Sequence, residues 1–263
     1  GVLTMGPGQG VQGRGDIQVG VVNQGTLEAD IAGKQLRVGG ALENSGTVRV
    51  LEGSTLLLAG GVTDAGVLAV REGGNLTLNQ AVSLHADLRV PTNSVVRVTG
   101  ATVALQGHRL SAEGGVVVIT DSTVSGGVLR VSDSTGSRVR FSGDVTLNNV
   151  PWDDPGQGEF QIYNASVRLL GDYAHQLPAG YTLVVNSQST HSPVQWTMGS
   201  GVYTNSGLIE LRHGGNGWVG YPRLWWEGSG TLAGNGEVLM SGSGDNNLIM
   251  GATNVVLTIG PGQ

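Results

Sequence analysis

The acidic residues of this sequence carry the side chains that could cleave a glycosidic bond. Such chemistry needs two or three acids on one face, often with Ca²⁺ beside them. The nearest approaches are Asp121 with Asp144, 23 residues apart, and the adjacent Asp153 and Asp154. Asp121 and Asp144 are typical of residues at corners between strands. Asp153 and Asp154 are adjacent, and adjacent side chains of an extended chain point in different directions. We expect no catalytic residue, and a polysaccharide-active enzyme is the least favoured interpretation.

Histidine and cysteine would supply a transition-metal site. The sequence has no cysteine, and its five histidines are widely spaced. His85 and His108 are 23 residues apart and could stack at a corner, but no third ligand accompanies them. We therefore expect no metal and no cofactor.

Aromatic residues are confined to one part of the chain. All twelve lie between Phe141 and Trp226. Exposed tryptophan and tyrosine can stack against sugars or contact a protein partner, whereas buried rings fill a locally wider core. All three interpretations stay open. The candidate contacts with a glycan or a partner are Trp152, Trp218, Tyr221, Trp225 and Trp226.

The elements that must position these residues repeat about every 20 residues. Pairs of alternating apolar residues recur at this interval and predict short strands with one buried face. Two further columns of apolar residues recur at the same interval, which gives three strands per repeat. The pattern predicts an all-β fold, a single-stranded parallel β-helix (β-solenoid) with about 20 residues per coil. The first column comprises Leu36/Val38, Leu56/Leu58, Leu76/Leu78, Val96/Val98 and Val116/Val118, and the third begins at Val22, Leu42, Val62 and Val82.

Corners between the predicted strands share the form Asn/Asp-x-Gly. Examples begin at Asn23, Asn44, Asp64 and Asn205. These residue types tolerate the backbone of a tight turn, so a turn-forming role is favoured over a ligand-binding one.

One continuous solenoid over 1–263 is expected, with irregular, aromatic-rich coils at 151–227. At 20 residues per coil the chain makes roughly 13 coils and a rod of about 60 Å.

The sequence ends on the phrase with which it begins. "VLTMGPGQ" at position 2 returns as "VLTIGPGQ" at position 256, an offset of 254 residues. We see no capping element at either end, and uncapped solenoids need more coils to cover their edges. We expect a 254-residue unit that stacks end to end on copies of itself, either in one covalent tandem array or between separate chains. The candidate stacking residues are Leu3, Met5, Leu257 and Ile259.

Composition narrows the possible partners. Glycine supplies 46 of 263 residues, and the formal net charge is −6 with basic residues scattered singly. Nucleic acids and anionic membranes call for clustered basic residues, and no apolar run is long enough to cross a bilayer. We expect no nucleic-acid partner and no membrane insertion.

The phrases "LTIGPGQ", "VVNQGTLEAD" and "GSTLLLAG" resemble the tandem modules of large, repetitive bacterial surface and secreted β-helix proteins. These are the filamentous-haemagglutinin-like exoproteins and autotransporter adhesin passengers. The likeness covers roughly 1–150 and 228–263. It implies an extracellular or cell-surface location, a right-handed coil and a structural or adhesive role, and it carries no active-site motif.

These observations favour a structural unit of an extracellular fibre, stalk or filament. The alternative is an adhesin that binds surface glycans or a partner through 151–227.

Overall fold

The chain is built from β-strands that stack in parallel. The structure, a computed structural model, describes residues 1–132, 134–153, 158–170, 175–177, 179–187, 194–214, 221–242 and 247–260. Within these residues no segment is helical, so none contains a helix long and apolar enough to cross a membrane. The strands form three ladders, A, B and C, each on one side of a coil, and the chain passes from A to B to C in every turn.

Ladder A runs through nearly the whole molecule. Each of its strands pairs in parallel with the equivalent strand one turn later. Its strands are Gly15–Ile17, Gln35–Val38, Thr55–Leu58, Asn75–Leu78, Val95–Thr99, Val116–Thr120, the first half of Arg138–Asn148, the first half of Glu159–Leu170, Thr182–Ser187, Leu208–His213 and Glu237–Gly242.

Ladder B lies on the next side and shares two long strands with ladder A. Its strands are Val2–Met5, Gly20–Asn23, Leu42–Asn44, Val62–Asp64, Val82–Leu84, Thr102–Ala104, Thr123–Ser125, the second half of Arg138–Asn148, the second half of Glu159–Leu170, Val194–Met198, Pro222–Trp226 and Leu248–Gly251.

Ladder C closes each turn and consists of three separate parallel sheets. Its strands are Gly10–Gln12, Thr26–Ala29, Thr47–Val50 and Val67–Val70, then Leu88–Pro91, Arg109–Glu113, Val128–Val131 and Trp152–Asp153, then His175–Leu177, Gly201–Asn205, Gly230–Ala233 and Leu257–Ile259.

The molecule has about eleven turns of roughly 21 residues each. Residues in register along ladder A are 20 to 22 positions apart from Gly15 to Phe160. The next steps lengthen to 23, 26 and 29, at Leu183, Ile209 and Val238. The β-solenoid with three strands per coil is therefore confirmed. The estimate of 13 coils was too high, because the coils after Phe160 carry longer connections.

The predicted column on ladder A is correct up to Val96. Leu36, Leu56, Leu76 and Val96 are in register as expected. The next member, however, is Val117 and not Val116, because this turn is 21 residues long, whereas the three turns before it are 20. Since side chains alternate along a strand, a shift of one residue exchanges the inner and outer faces.

The same slip occurs near the start of ladder B. Val21, and not Val22, is in register with Leu42. Val21 is buried in the core, whereas Val22 faces outward.

The predicted turn-forming role of the Asn/Asp-x-Gly corners is confirmed by their hydrogen bonds. The Oδ1 atom of Asn23 accepts from the Gly25 amide at 3.0 Å, which closes the turn. Between turns, Nδ2 of Asn23 donates to Oδ1 of Asn44 at 2.7 Å, and Nδ2 of Asn44 donates to Oδ1 of Asp64 at 2.5 Å. All three polar side chains are buried. Each corner thus stabilises its own turn and the turn above it.

Asp64 should make stability depend on pH. Burial raises the pKa of its carboxyl group above the usual value, against opposing hydrogen bonds from Asn44 and the Gly66 amide and the charge of His85. A carboxyl group with a raised pKa in the folded state stabilises the fold below its unfolded pKa, and this contribution is lost as pH rises through the folded pKa. The ionised carboxylate therefore destabilises the fold at neutral pH.

Asp64→Asn should increase the free energy of unfolding at pH 7, because an amide oxygen still accepts from Asn44 and carries no charge. The gain should shrink as the pH is lowered toward 4. Urea unfolding at several pH values measures it, with the exposed Glu43→Gln as the control from the same turn. A gain that did not depend on pH would contradict the assignment.

Candidate functional site

The aromatic residues mostly line the interior of the C-terminal turns. Trp152 stacks on Phe160 with ring centroids 4.5 Å apart and on Trp196 at 5.6 Å. Phe160 in turn lies 5.8 Å from the ring of Tyr181. These rings project inward from all three ladders and meet at the axis, in the region where the turns lengthen. They therefore fill a wider core, and Trp152 packs against this core instead of standing on the outer surface.

Trp226 is also part of the core, with no exposed surface. Its ring meets that of Tyr203 edge to face at 6.3 Å. A contact between Trp226 and a glycan is therefore ruled out by burial in the folded chain. Adjacent residues of a strand face opposite sides, so Trp225 faces outward where Trp226 faces inward.

A small cavity of about 120 Å³ lies beside the aromatic cluster. Rings of Trp152, Trp196 and Tyr203 form part of its wall, and most of the other lining residues are aliphatic. Its polar side chains include Asn205, whose Oδ1 accepts from the Gly207 amide and whose Nδ2 donates to the Glu237 carbonyl. Among the described residues its lining includes no acid, histidine or lysine.

Two of the other aromatic candidates have different placements. Tyr221 is half-buried, just before the strand Pro222–Trp226. Trp218 lies outside the described residues. Among the five candidates, Trp225 is the described side chain that faces outward from a strand.

The outward side chains around Trp225 form an ordered polar group. The guanidinium of Arg223 lies over the Trp225 ring, 5.0 Å from its centroid. Arg223 donates through Nε to the Gln195 Oε1 atom at 2.7 Å, and through Nη2 to the same oxygen. Gln195 in turn donates to Thr197 at 3.0 Å and to Ser166 at 3.1 Å.

A similar group lies on ladder A two turns earlier. Arg140 donates through Nε to Gln161 Oε1 at 2.7 Å, and its guanidinium lies 4.5 Å from the centroid of the Tyr163 ring. We call the two groups together the arginine–aromatic surface; it comprises Arg140, Gln161, Tyr163, Gln195, Arg223 and Trp225. The sequence interpretation missed its arginines and glutamines. The signal was present in the spacing of two between Arg223 and Trp225, which places both on one face.

The candidate acids Asp121 and Asp144 contact each other at a corner between strands. Asp121 adopts a left-handed backbone with φ of 48°, and its Oδ1 atom accepts from the Asp144 amide at 3.0 Å. The side chain of Asp153 and all of Asp154 lie outside what the structure describes. Among the described residues no three of His, Cys, Asp and Glu come close enough to hold a metal ion.

The two copies of the repeated phrase lie on different sides of the solenoid. Leu3 and Met5 belong to ladder B, where they are in register with Val21 and Asn23. Leu257 and Ile259 belong to ladder C, and the side chain of Leu257 is outside the described set. An offset of 254 residues thus corresponds to eleven turns and one additional side.

The inner apolar columns continue to the last described turn, where no described residue covers them. Met240 is in register with the buried Leu211, and Ile259 with the buried Leu232. Met240 is nevertheless 48% exposed and Ile259 54% exposed. Met5, at the other end, is buried.

No protein-family model and no curated protein matches the chain. Among solved structures, the chain is similar to the crystal structure of a TibC-catalyzed hyper-glycosylated TibA55-350 fragment. The two share 14% identity over 97% of each chain, with a TM-score of 0.30. A TM-score this low supports no inference about function.

Proposed function

We propose that this chain is a structural unit of an extracellular fibre or stalk, in which β-solenoid units stack end to end. The observation that carries the proposal is the exposure of Met240 and Ile259, although their partners in the turn before, Leu211 and Leu232, are buried. A further turn, from the same chain or another, would cover both side chains and pair with the free edges of the last strands. Unpaired parallel edges with bare apolar residues favour such addition.

The mechanical role follows from the ladders. Hydrogen bonds between turns run parallel to the axis, and each buried Leu or Val contributes about 1.5–3 kcal/mol of burial energy. Each turn contacts mainly its immediate neighbours, so the length of such a rod can grow without changing its cross-section. The extracellular location is part of the proposal and follows from the resemblance of the repeated phrases. The proposal assigns no catalytic step, metal or cofactor to the unit.

Continuation of the 254-residue repeat would rotate successive units. Since the repeated phrase moves from ladder B to ladder C, each unit would be turned by one side relative to the one before it. Three units would restore the original orientation.

Two adjacent residues test end-to-end stacking. Leu239 and Met240 have similar exposure, 39% and 48%, but Leu239 is in register with the outward-facing Glu210 and Met240 with the inward-facing Leu211. We expect the purified chain to form assemblies larger than its 27.0 kDa mass as concentration rises. Met240→Lys should weaken this association at least about tenfold, because stacking would bury a charge.

Leu239→Lys is the matched control and should associate like the wild type, because its side chain stays outside the stack. Sedimentation velocity measures the association, and electron microscopy shows whether the assemblies are rods of constant width. A monomer at every accessible concentration, or equal effects of the two lysine variants, would count against the proposal.

A further inference from the structure

Five described arginines lie on the outer surface of ladders A and B from Arg138 onward, and three of them are neutralised. Their partners are glutamates on the same or a nearby strand. The ion pairs are Arg138 with Glu159, Arg168 with Glu227, and Arg212 with Glu210.

Arg140 and Arg223 differ from these three. Each donates to the neutral oxygen of a glutamine and lies over an aromatic ring. Among the described residues neither has an acidic partner within ion-pair distance. Gln161 also donates to the carboxylate of Glu159 at 3.4 Å, which is already paired with Arg138. Both guanidinium groups are therefore positioned by neutral neighbours and have no ion-pair partner of their own in the described part of the chain.

The two groups meet where ladder A passes into ladder B. Gln161 and Tyr163 lie in the first half of the strand Glu159–Leu170, and Ser166 lies in the second half. Gln195 of the other group donates to this Ser166 at 3.1 Å. Hydrogen bonds thus connect the second group to the strand that carries the first.

We propose that the arginine–aromatic surface binds a polysaccharide containing uronic-acid units. The carboxylates would be bound by Arg140 and Arg223, which present several N–H donors in a planar arrangement suited to this anion. The amide of Gln195, which is half-buried, lies beside Arg223 and would face a sugar hydroxyl. The half-buried rings of Tyr163 and Trp225 supply flat apolar surface next to the charges.

The geometry favours an extended sugar polymer over an acidic peptide. The rings of Tyr163 and Trp225, each beside an arginine, can stack on the apolar face of a pyranose, which an acidic peptide does not offer. This binding does not depend on the proposed stacking, because the surface lies on the side of the solenoid and not at its end.

Isothermal titration with hexagalacturonate tests the proposal. We expect measurable binding that weakens as salt is added. Arg140→Gln and Arg223→Gln should each reduce the affinity about tenfold, because each removes a charge-assisted contact. Trp225→Ala should reduce it by a similar factor, and Arg223→Lys should retain part of the affinity, because the charge remains.

The controls separate a specific site from charge alone. Arg97→Gln removes an exposed arginine of ladder A two turns before Arg140 and should bind like the wild type. The methyl-esterified hexamer should bind at least tenfold more weakly. Absence of hexagalacturonate binding, equally tight binding of a poly-glutamate peptide, or unchanged affinity of Arg223→Gln would each overturn the proposal. Unchanged melting temperatures of the variants show that a loss of binding is not a loss of folding.

Discussion

Phe160→Ala should lower the free energy of unfolding by about 3–5 kcal/mol, which is the usual loss for a large aromatic side chain in a core. Phe160 is fully buried and lies between the rings of Trp152 and Tyr181. Removing it leaves a void that these two rings can close only by leaving their own positions. Because the interior beside Trp152 already holds a cavity, the side chains around Phe160 cannot readily fill a second one.

Equilibrium unfolding in urea measures this loss, and two further variants calibrate it. Phe160→Leu keeps most of the volume and should lose much less. Leu170→Ala, at an exposed position of the same strand, should change the stability by no more than about 0.5 kcal/mol. A loss below about 1 kcal/mol for Phe160→Ala would mean that the aromatic rings do not form the close-packed core described above.

Gly60→Ala should destabilise the fold by roughly 3 kcal/mol, a large effect for one methyl group. Gly60 forms the corner between a strand of ladder A and the next strand of ladder B. A Cβ atom at this position would lie less than 3.0 Å from the backbone of Gly40, the equivalent corner one turn earlier. Backbone atoms cannot move aside as a flexible side chain can, so the two turns would have to separate.

The neighbouring Gly61→Ala is the matched control. A Cβ atom there would be in ordinary contact with the Ala81 carbonyl oxygen, at 3.5 Å. Thermal and urea unfolding should therefore show Gly61→Ala close to the wild type and Gly60→Ala well below it. If both variants lost the same amount of stability, the cause would be the backbone propensity of alanine and not the close approach of the two corners.

Both effects arise from contacts between successive turns, and this explains why so much of the fold could be predicted. In a solenoid the partner of each strand lies about 21 residues away in sequence. A column such as Leu36, Leu56, Leu76 and Val96 is therefore visible as a period. The Asn-x-Gly corners are visible for the same reason, since each turn places the same residue type at the same position.

Prediction failed where the length of a corner changed by one residue. Val116 and Val117 are both valine, as are Val21 and Val22, so hydrophobicity could not distinguish the inward residue. The hydrogen-bonded register determines which of the two is buried. Likewise, the strand alternation of "PRLWW" shows that Trp225 and Trp226 face opposite sides, but only the position of the core shows which one is inside.

By itself, the amino-acid sequence determined the strand period, the three-sided coil, the turn-forming corners and the confinement of aromatic residues to the later turns, because each depends on contacts at a nearly constant separation. The tertiary structure decided the remainder. It brought Arg223 to Gln195, left Met240 and Ile259 uncovered, and placed the two copies of the repeated phrase on different sides. These features depend on the total length of the irregular coils after Phe160. Because those coils differ in length, a regular sequence period does not predict where they place a residue.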